Sequence, residues 1–250
     1  MPSGVANAEK AKVRQRYADG TASREELLAV EAGAYHDAGT CTFYGTANSN
    51  QLLMEMMGLH IPGSAFIPPN TELRERLTEY AVQVAAQHSA LGDDFLPFYR
   101  VVDARSLVNG IVGLMATGGS TNLLIHLIAM ARAGGIILDW QDFSDISDIV
   151  PLLARVYPNG LADVNHFHAA GGLGYMIGEL LEAGLLHPDV KTVVGDGLHR
   201  YTQEPFMKNG VLAWRAGTTE SLNKGILRPA SEPFATSGGL KKLTGKLGTS

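Results

Sequence analysis

Cys41 is the only cysteine of the chain, and it stands in Gly39-Thr-Cys-Thr-Phe-Tyr-Gly-Thr-Ala-Asn-Ser-Asn-Gln51, a run dense in glycine, hydroxyl and amide side chains. A structural cysteine behaves as a small apolar residue and is expected among Leu, Val and Ile. Thr40, Thr42, Gly45 and Thr46 surround this one instead. The setting suits a metal ligand better than a core thiol. A single thiolate cannot hold an iron–sulfur cluster, which takes about three or four protein ligands. If Cys41 is one of them, the others come from sequence outside these residues.

Two further clusters carry groups that could bind or react. Thr117-Gly-Gly-Ser-Thr-Asn122 sets two glycines, two hydroxyls and an amide at the mouth of a helix. Backbone amides of such a turn bind phosphate or carboxylate, and a plain N-cap explains the same residues equally well. No Lys follows the glycines, so this is not a P-loop. Asp163-Val-Asn-His-Phe-His168-Ala-Ala-Gly-Gly places His166 and His168 two apart. On a helix that spacing turns them apart by about 160 degrees, at about 3.6 residues per turn, so a two-histidine metal site is weak and a hydrogen-bonded turn is favoured. His36, His60, His88, His126, His187 and His199 are isolated and read as structural or exposed. The acidic run Asp139-Trp-Gln-Asp-Phe-Ser-Asp-Ile-Ser-Asp reads as the start of a helix, where the dipole favours carboxylates, rather than as a cation site. The chain contains no nucleophile elbow, paired zinc motif or dinucleotide fingerprint.

The elements that must position these groups follow from caps and periodicity. A polar opening stretch with Lys10, Lys12, Arg14 and Arg16 reads as a surface segment leading into a helix. Ser23, with Glu26 three residues on, caps a helix running to about Tyr35. The Cys41 loop follows, and Asn48 or Ser49 is expected to cap the helix Gln51-Leu-Leu-Met-Glu-Met-Met. That places Cys41 where exposed amides and the helix dipole favour a thiolate. Asn70 or Thr71 opens a long helix to about Gln87, and an apolar run over 103–115 breaks at Thr117-Gly-Gly. Ser120-Thr-Asn opens the next helix, and the pair Gly134-Gly135 behind it reads as a plain C-cap. Ile136-Ile-Leu reads as a short strand, 174–183 as a helix and Lys191-Thr-Val-Val-Gly as a strand. Beyond about Tyr201 the sequence loosens into Pro- and Gly-containing segments that read as a linker, and the last residues read as a strand that begins without a partner.

The totals bound the class. With 250 residues and 45% hydrophobic content the chain can bury a sizeable core. A net charge of -5, a pI near 5.9 and scattered Lys and Arg exclude a basic nucleic-acid footprint. No stretch approaches the roughly 18 apolar residues of a membrane span. With one cysteine there is no intrachain disulfide, and a cytoplasmic setting is expected. Helices joined by short apolar strands predict an α/β class with helices around a largely parallel sheet. Residues 1–200 are expected to form part of one α/β domain, and 201–250 a linker and the opening of a β-rich C-terminal domain.

The cysteine segment, Ala116-Thr-Gly-Gly-Ser-Thr-Asn and Asp163-Val-Asn-His-Phe-His-Ala-Ala-Gly-Gly together resemble the dihydroxyacid dehydratase and phosphogluconate dehydratase family. Asp139-Trp-Gln-Asp-Phe-Ser-Asp-Ile-Ser-Asp-Ile-Val-Pro, Glu179-Leu-Leu-Glu-Ala-Gly-Leu-Leu-His and Leu227-Arg-Pro-Ala-Ser-Glu-Pro-Phe support it. Thr42-Phe-Tyr-Gly-Thr-Ala-Asn favours the phosphogluconate branch, because the dihydroxyacid branch usually has a Cys-Gly-Met-Tyr-Thr-Ala-Asn segment. The resemblance covers nearly the whole chain, and the chain resembles the middle portion of much longer members.

What the resemblance implies can be stated residue by residue. Cys41 matches the last cluster cysteine, in a 4Fe-4S cluster rather than 2Fe-2S. The earlier ligands and a divalent-metal site, of Mg2+, would lie upstream, and the family's serine base downstream, outside this chain. Ser120, Thr121 and Asn122 are candidates for substrate contacts, with support of the cluster pocket as the alternative. A cluster iron would polarise a substrate hydroxyl as a Lewis acid while a base removes the proton α to the carboxylate. The expected activity is a hydro-lyase acting on 6-phosphogluconate in the Entner–Doudoroff pathway of gluconate breakdown, homodimeric at full length, with the 250 residues inactive alone. The alternatives are a dehydratase of another sugar acid or dihydroxy acid, or a catalytically silent fragment.

Overall fold

The computed structural model describes residues 5–34, 41–245 and 248–249. His36 and the end of the Ser23-capped helix at Tyr35 lie outside them. Among the described residues the helices are α1 (Asn7–Ala18), α2 (Arg24–Gly33), α3 (Thr46–Met56), α4 (Glu72–His88), α5 (Ala104–Thr117), α6 (Asn122–Ala133), α7 (Trp140–Ile149), α8 (Val164–Ala169) and α9 (Gly172–Glu182). The strands are β1 (Lys191–Thr192), β2 (Gly195–Asp196), β3 (Gln203–Lys208), β4 (Val211–Ala216), β5 (Thr244–Gly245) and β6 (Gly248–Thr249).

The centre is helix against helix. Asp103 caps α5 in a reciprocal box with Ser106, and most of the helix is buried around its whole circumference, with Ile111 and Ala116 fully so. A helix apolar on every side belongs in a core. Leu52, Leu53, Met56 and Met57 of the α3 segment pack on α5, joined by Leu123 and Leu127 of α6, Phe167 of α8 and Met176, Ile177 and Leu180 of α9. Gly110 and Gly113 allow the close approach, since a Cβ on Gly113 would stand 2.8 Å from the Met56 side chain. A second cluster, Ile61, Ile67, Leu77 and Val84, joins α4 to Trp214 of the β3–β4 hairpin.

A helix-rich chain with small sheets toward its C-terminal part fits the expected α/β class. The parallel sheet does not form among the described strands, which pair antiparallel and two by two: β1 with β2, β3 with β4, β5 with β6. Ile136-Ile-Leu runs without ladder pairing. A three-residue apolar run has too few ladder bonds to decide between strand and packed coil, and here α6 and α7 flank it closely. Lys191-Thr-Val-Val-Gly is a strand for only two residues before turning into β2. The opening basic segment is itself a helix, α1, joined to α2 through Arg16 and Glu26 at 2.6 Å.

The segment read as a linker carries structure. β3 and β4 pair over six registers, Gln203 with Ala216 through Lys208 with Val211. Further on, Leu152 pairs with Ala235 and Ala154 with Leu227, and the Gly239 amide donates to the Met115 carbonyl at 2.8 Å. β5 finds its partner in β6. Alternation is weak in these stretches because few side chains are buried on either face, so periodicity gave no strand signal.

Candidate functional site around Cys41

The loop that carries Cys41 is pinned from four sides. Asn48, buried in the first turns of α3, donates both amide protons back to it, to the Cys41 carbonyl at 2.7 Å and the Phe43 carbonyl at 2.6 Å. The Thr42 carbonyl accepts from the Val164 amide at 3.0 Å, so α8 holds the next residue. Phe43 packs on Tyr157 with ring centroids 4.6 Å apart. Tyr44 is buried, its hydroxyl 2.8 Å from that of Thr117 on α5, and burial pushes its ionisation upward. The thiol of Cys41 itself is exposed and free.

Asn48 and Ser49 were expected at the cap and instead lie inside the helix, which begins at Thr46 behind Gly45. The cap position falls to glycine because the two polar side chains have other partners. Asn48 serves the loop, and the Ser49 hydroxyl accepts from the Ser120 amide at 3.1 Å. Asn48→Ala is therefore expected to free two carbonyls, lower stability by about 1–2 kcal/mol and raise Cys41 alkylation by iodoacetamide several-fold at fixed pH. An unchanged labelling rate would show that Asn48 does not restrain the loop.

The second motif reaches the same place. Gly118 ends α5 in the left-handed region at φ 59° and ψ 49°. The Ser120 hydroxyl lies 2.8 Å from that of Thr46, and the Asn122 amide donates to the same Thr46 oxygen at 3.1 Å. Ser120 and Asn122 thus join the first turn of α6 to the first turn of α3. Thr121 is exposed, and with Asn122 it borders a separate cavity of about 470 Å³ that contains Trp140, Phe143 and Leu240.

The third motif supplies α8. Asp163 caps it, accepting from the Asn165 and His166 amides at 3.0 Å each, while His166 Nδ1 accepts from the Asp163 amide at 3.2 Å. His166 therefore completes a capping box, and with Asp163 it borders a cavity of about 310 Å³ shared with Cys41. His168 faces a different one, beside Glu204 and Arg215, as the helical spacing required. The acidic run is a helix start, with Asp139 capping α7 in a box with Asp142. Three motifs far apart in sequence thus meet at the Cys41 loop.

Cys41 also borders a cavity of about 810 Å³, together with Gln51, His60, Ser64, Arg74, His88 and Asn165. His60 and His88 read as isolated in the sequence, and no spacing could have paired them, since they reach this wall from different elements. His88 bridges the Asp94 carbonyl at 2.8 Å and the Val193 carbonyl at 2.9 Å. Burial first, and then the Arg74 guanidinium, hold His60 below the ordinary imidazole range. Glu55, fully buried on α3, is the other group that sequence reasoning missed. Its signal was one carboxylate inside Leu52-Leu-Met-Glu-Met-Met57, a run with no polar face.

The donor set can be tested against an iron–sulfur cluster. An exposed thiol on a loop pinned through its backbone suits one ligand position, and no group of three or more His, Cys, Asp or Glu among the described residues could hold a metal ion by itself. The residues present thus fit a contributor to a shared site.

Phosphogluconate dehydratase of Pseudomonas aeruginosa is 55% identical over 248 residues, covering 99% of this chain and 41% of that protein. The Rhizobium meliloti phosphogluconate dehydratase is 56% identical over 249 residues, with the same coverage. A dihydroxy-acid dehydratase of Nostoc sp. is 32% identical over 237 residues, covering 93% of this chain and 39% of that protein. The chain therefore spans about two fifths of the length of the curated relatives it matches. Residues 2–201 match the dihydroxy-acid/6-phosphogluconate dehydratase N-terminal family, and the chain belongs to that family.

Proposed function

We propose that the chain is the Cys41-bearing part of a 6-phosphogluconate dehydratase, a hydro-lyase that converts 6-phosphogluconate to 2-keto-3-deoxy-6-phosphogluconate in the cytoplasm. The observation that carries the reading is the convergence of the three motifs on a backbone-pinned loop with a free thiol, together with identities of 55% and 56% to phosphogluconate dehydratases. Cys41 is one ligand of an iron–sulfur cluster, of the 4Fe-4S type. When bound, the cluster supplies Lewis-acid polarisation of the substrate's C3 hydroxyl. Mg2+ and the remaining ligands belong to residues outside this chain, and the working form is a homodimer.

The chain's own residues hold and shape. Asn48 keeps the Cys41 carbonyl turned toward α3, which orients the thiolate outward. Ser120 and Asn122 act through Thr46 as positioning residues for the turn behind the loop, while Thr121, exposed like Asn122, borders the separate cavity of about 470 Å³. The 810 Å³ cavity beside Cys41 has room for a six-carbon sugar acid with its phosphate. Residues 1–200 form part of the cluster-binding domain, and 201–250 lead toward a β-rich C-terminal domain. The family match ending at residue 201 supports that division.

The test compares dehydration of 6-phosphogluconate with that of unphosphorylated gluconate, on this chain and on the longest reading frame that contains it. The expected result is turnover of the phosphorylated acid by the longer product and none by the 250 residues alone. Preference for gluconate rejects the substrate, and robust turnover by the 250 residues rejects the shared site.

A further inference from the structure

One wall of the cavity beside Cys41, residues 59–67, is a buried run of turns without helix or strand. Buried backbone groups outside regular structure must find partners, because an orphan costs as much as a lost hydrogen bond. Side chains from four elements supply them. Tyr201, in the 3-10 turn Leu198–Thr202, donates its hydroxyl to the His60 carbonyl at 2.9 Å. Trp214 of β4 donates its indole N–H to the Pro62 carbonyl at 3.0 Å. Arg74 of α4 donates to the Ser64 carbonyl at 2.9 Å and the Ile67 carbonyl at 3.1 Å.

These three are donors that hold carbonyls. Glu55 holds the amides: Oε1 accepts from Gly63 at 2.6 Å and Oε2 from Ala65 at 2.9 Å. Both carboxylate oxygens are thus committed to one loop, two residues apart, from a fully buried helix position.

We infer that Glu55 is a positioning residue for the Cys41 cavity, its ionised carboxylate gripping the Gly63 and Ala65 amides and so fixing the wall that carries Ser64, Phe66 and Ile67. The inference stands on this geometry and does not depend on the reaction proposed above. A neutral carboxyl keeps one good acceptor oxygen and turns the other into a hydroxyl, so protonation weakens one of the two grips. Burial pushes Glu55 up to about 7, against the pull of the Ala65 and Gly63 amides and the Arg74 guanidinium.

The groups that face it are Arg74 from α4 and Tyr201 from the 3-10 turn. Across a cavity of about 180 Å³ stand His168 of α8 and Glu204 and Arg215 of the hairpin. In the folded chain Glu55 thus titrates above the ordinary carboxylate value of 4.5. Glu55 therefore contributes most to global stability below that value, and the contribution falls as pH rises through about 7. The two-point grip on the loop runs the other way and is complete only above it. The cavity wall is thus best ordered where the buried charge is most costly.

The experiment follows the Gly63 and Ala65 amides of the chain by nitrogen-15 NMR from pH 5 to 8.5. Both are expected to titrate together, well above the ordinary carboxylate range. Glu55→Gln keeps the shape but sets an amide NH2 against a backbone N–H. It is expected to abolish the shared titration and to speed amide exchange in residues 63–67 at least about 10-fold at pH 8, with α5 amides unchanged. Amides that stay flat in the unsubstituted chain, or exchange that Glu55→Gln leaves unchanged, overturn the inference. The unsubstituted titration decides the matter even where the variant does not fold. Neither measurement uses substrate or cluster, so failure here is separate from failure of the proposed reaction.

Discussion

Cys41→Ser, introduced into the longest polypeptide that contains this chain, is expected to leave the fold intact and to lower both cluster content and dehydration of 6-phosphogluconate at least about 100-fold. Loss of a group that merely orients a ligand costs about 10–100-fold in metal affinity, and loss of the ligand itself costs more. The fold should survive because nothing that restrains the loop uses the sulfur. Asn48 bonds the carbonyls of Cys41 and Phe43, Val164 bonds that of Thr42, and Tyr44 is anchored on Thr117. An exposed side chain with no packing role changes stability by no more than about 0.5 kcal/mol, so a shared denaturation midpoint separates ligand loss from misfolding. Iron and sulfide per chain are the direct readout. If the serine variant retains its iron, Cys41 is not a ligand.

Gly118→Ala is expected to destabilise the chain by about 2–4 kcal/mol, against about 1 kcal/mol for Gly135→Ala. Both glycines have positive φ, 59° and 73°, and that strain alone accounts for about 1 kcal/mol on adding a Cβ. Their surroundings differ. A Cβ on Gly135 meets nothing within 4 Å, whereas one on Gly118 would fall 1.8 Å from Asn159 Nδ2 and 3.1 Å from the Gly239 Cα. Asn159 would have to withdraw, giving up its 3.0 Å bond to the Gly118 carbonyl at a cost of about 1–3 kcal/mol for the buried acceptor. Urea midpoints at constant m-value measure both changes. Equal losses at the two positions would show that Asn159 moves aside freely, and that the turn owes nothing to close packing.

The contrast between those glycine pairs was partly legible in the sequence. Gly134-Gly135 follows an amphipathic helix with nothing reactive nearby and does cap it. Gly118-Gly119 precedes two hydroxyls and an amide, and its backbone is indeed approached closely, with a Cβ on Gly119 only 2.7 Å from the Ser49 hydroxyl. Ser23 and Thr71 were equally legible as caps, accepting from the Glu26 and Arg74 amides, because a cap is a local contract between residues three apart. Asn48 and Ser49 have the same residue types, yet long-range partners claimed them.

The β3–β4 hairpin was missed because its strands are only partly buried and alternate weakly. The expected parallel sheet is not seen among the described residues, for a related reason. A short apolar segment such as Ile136-Ile-Leu is compatible with a strand, but a ladder needs a neighbouring strand, and Ile137 is left facing solvent, 94% exposed.

By itself, then, the sequence determined the cap-defined helices, the family and the singular position of Cys41, since each is written in the order of neighbouring residues. Only the tertiary structure decided that Thr46 is where Ser120 and Asn122 converge, that Ser49 takes the Ser120 amide, and that Glu55 grips a wall of the cavity beside Cys41. Those contacts join residues that the chain order keeps apart. A buried carboxylate and an exposed one have the same letter, and what separates them is the packing that removes water from one of them.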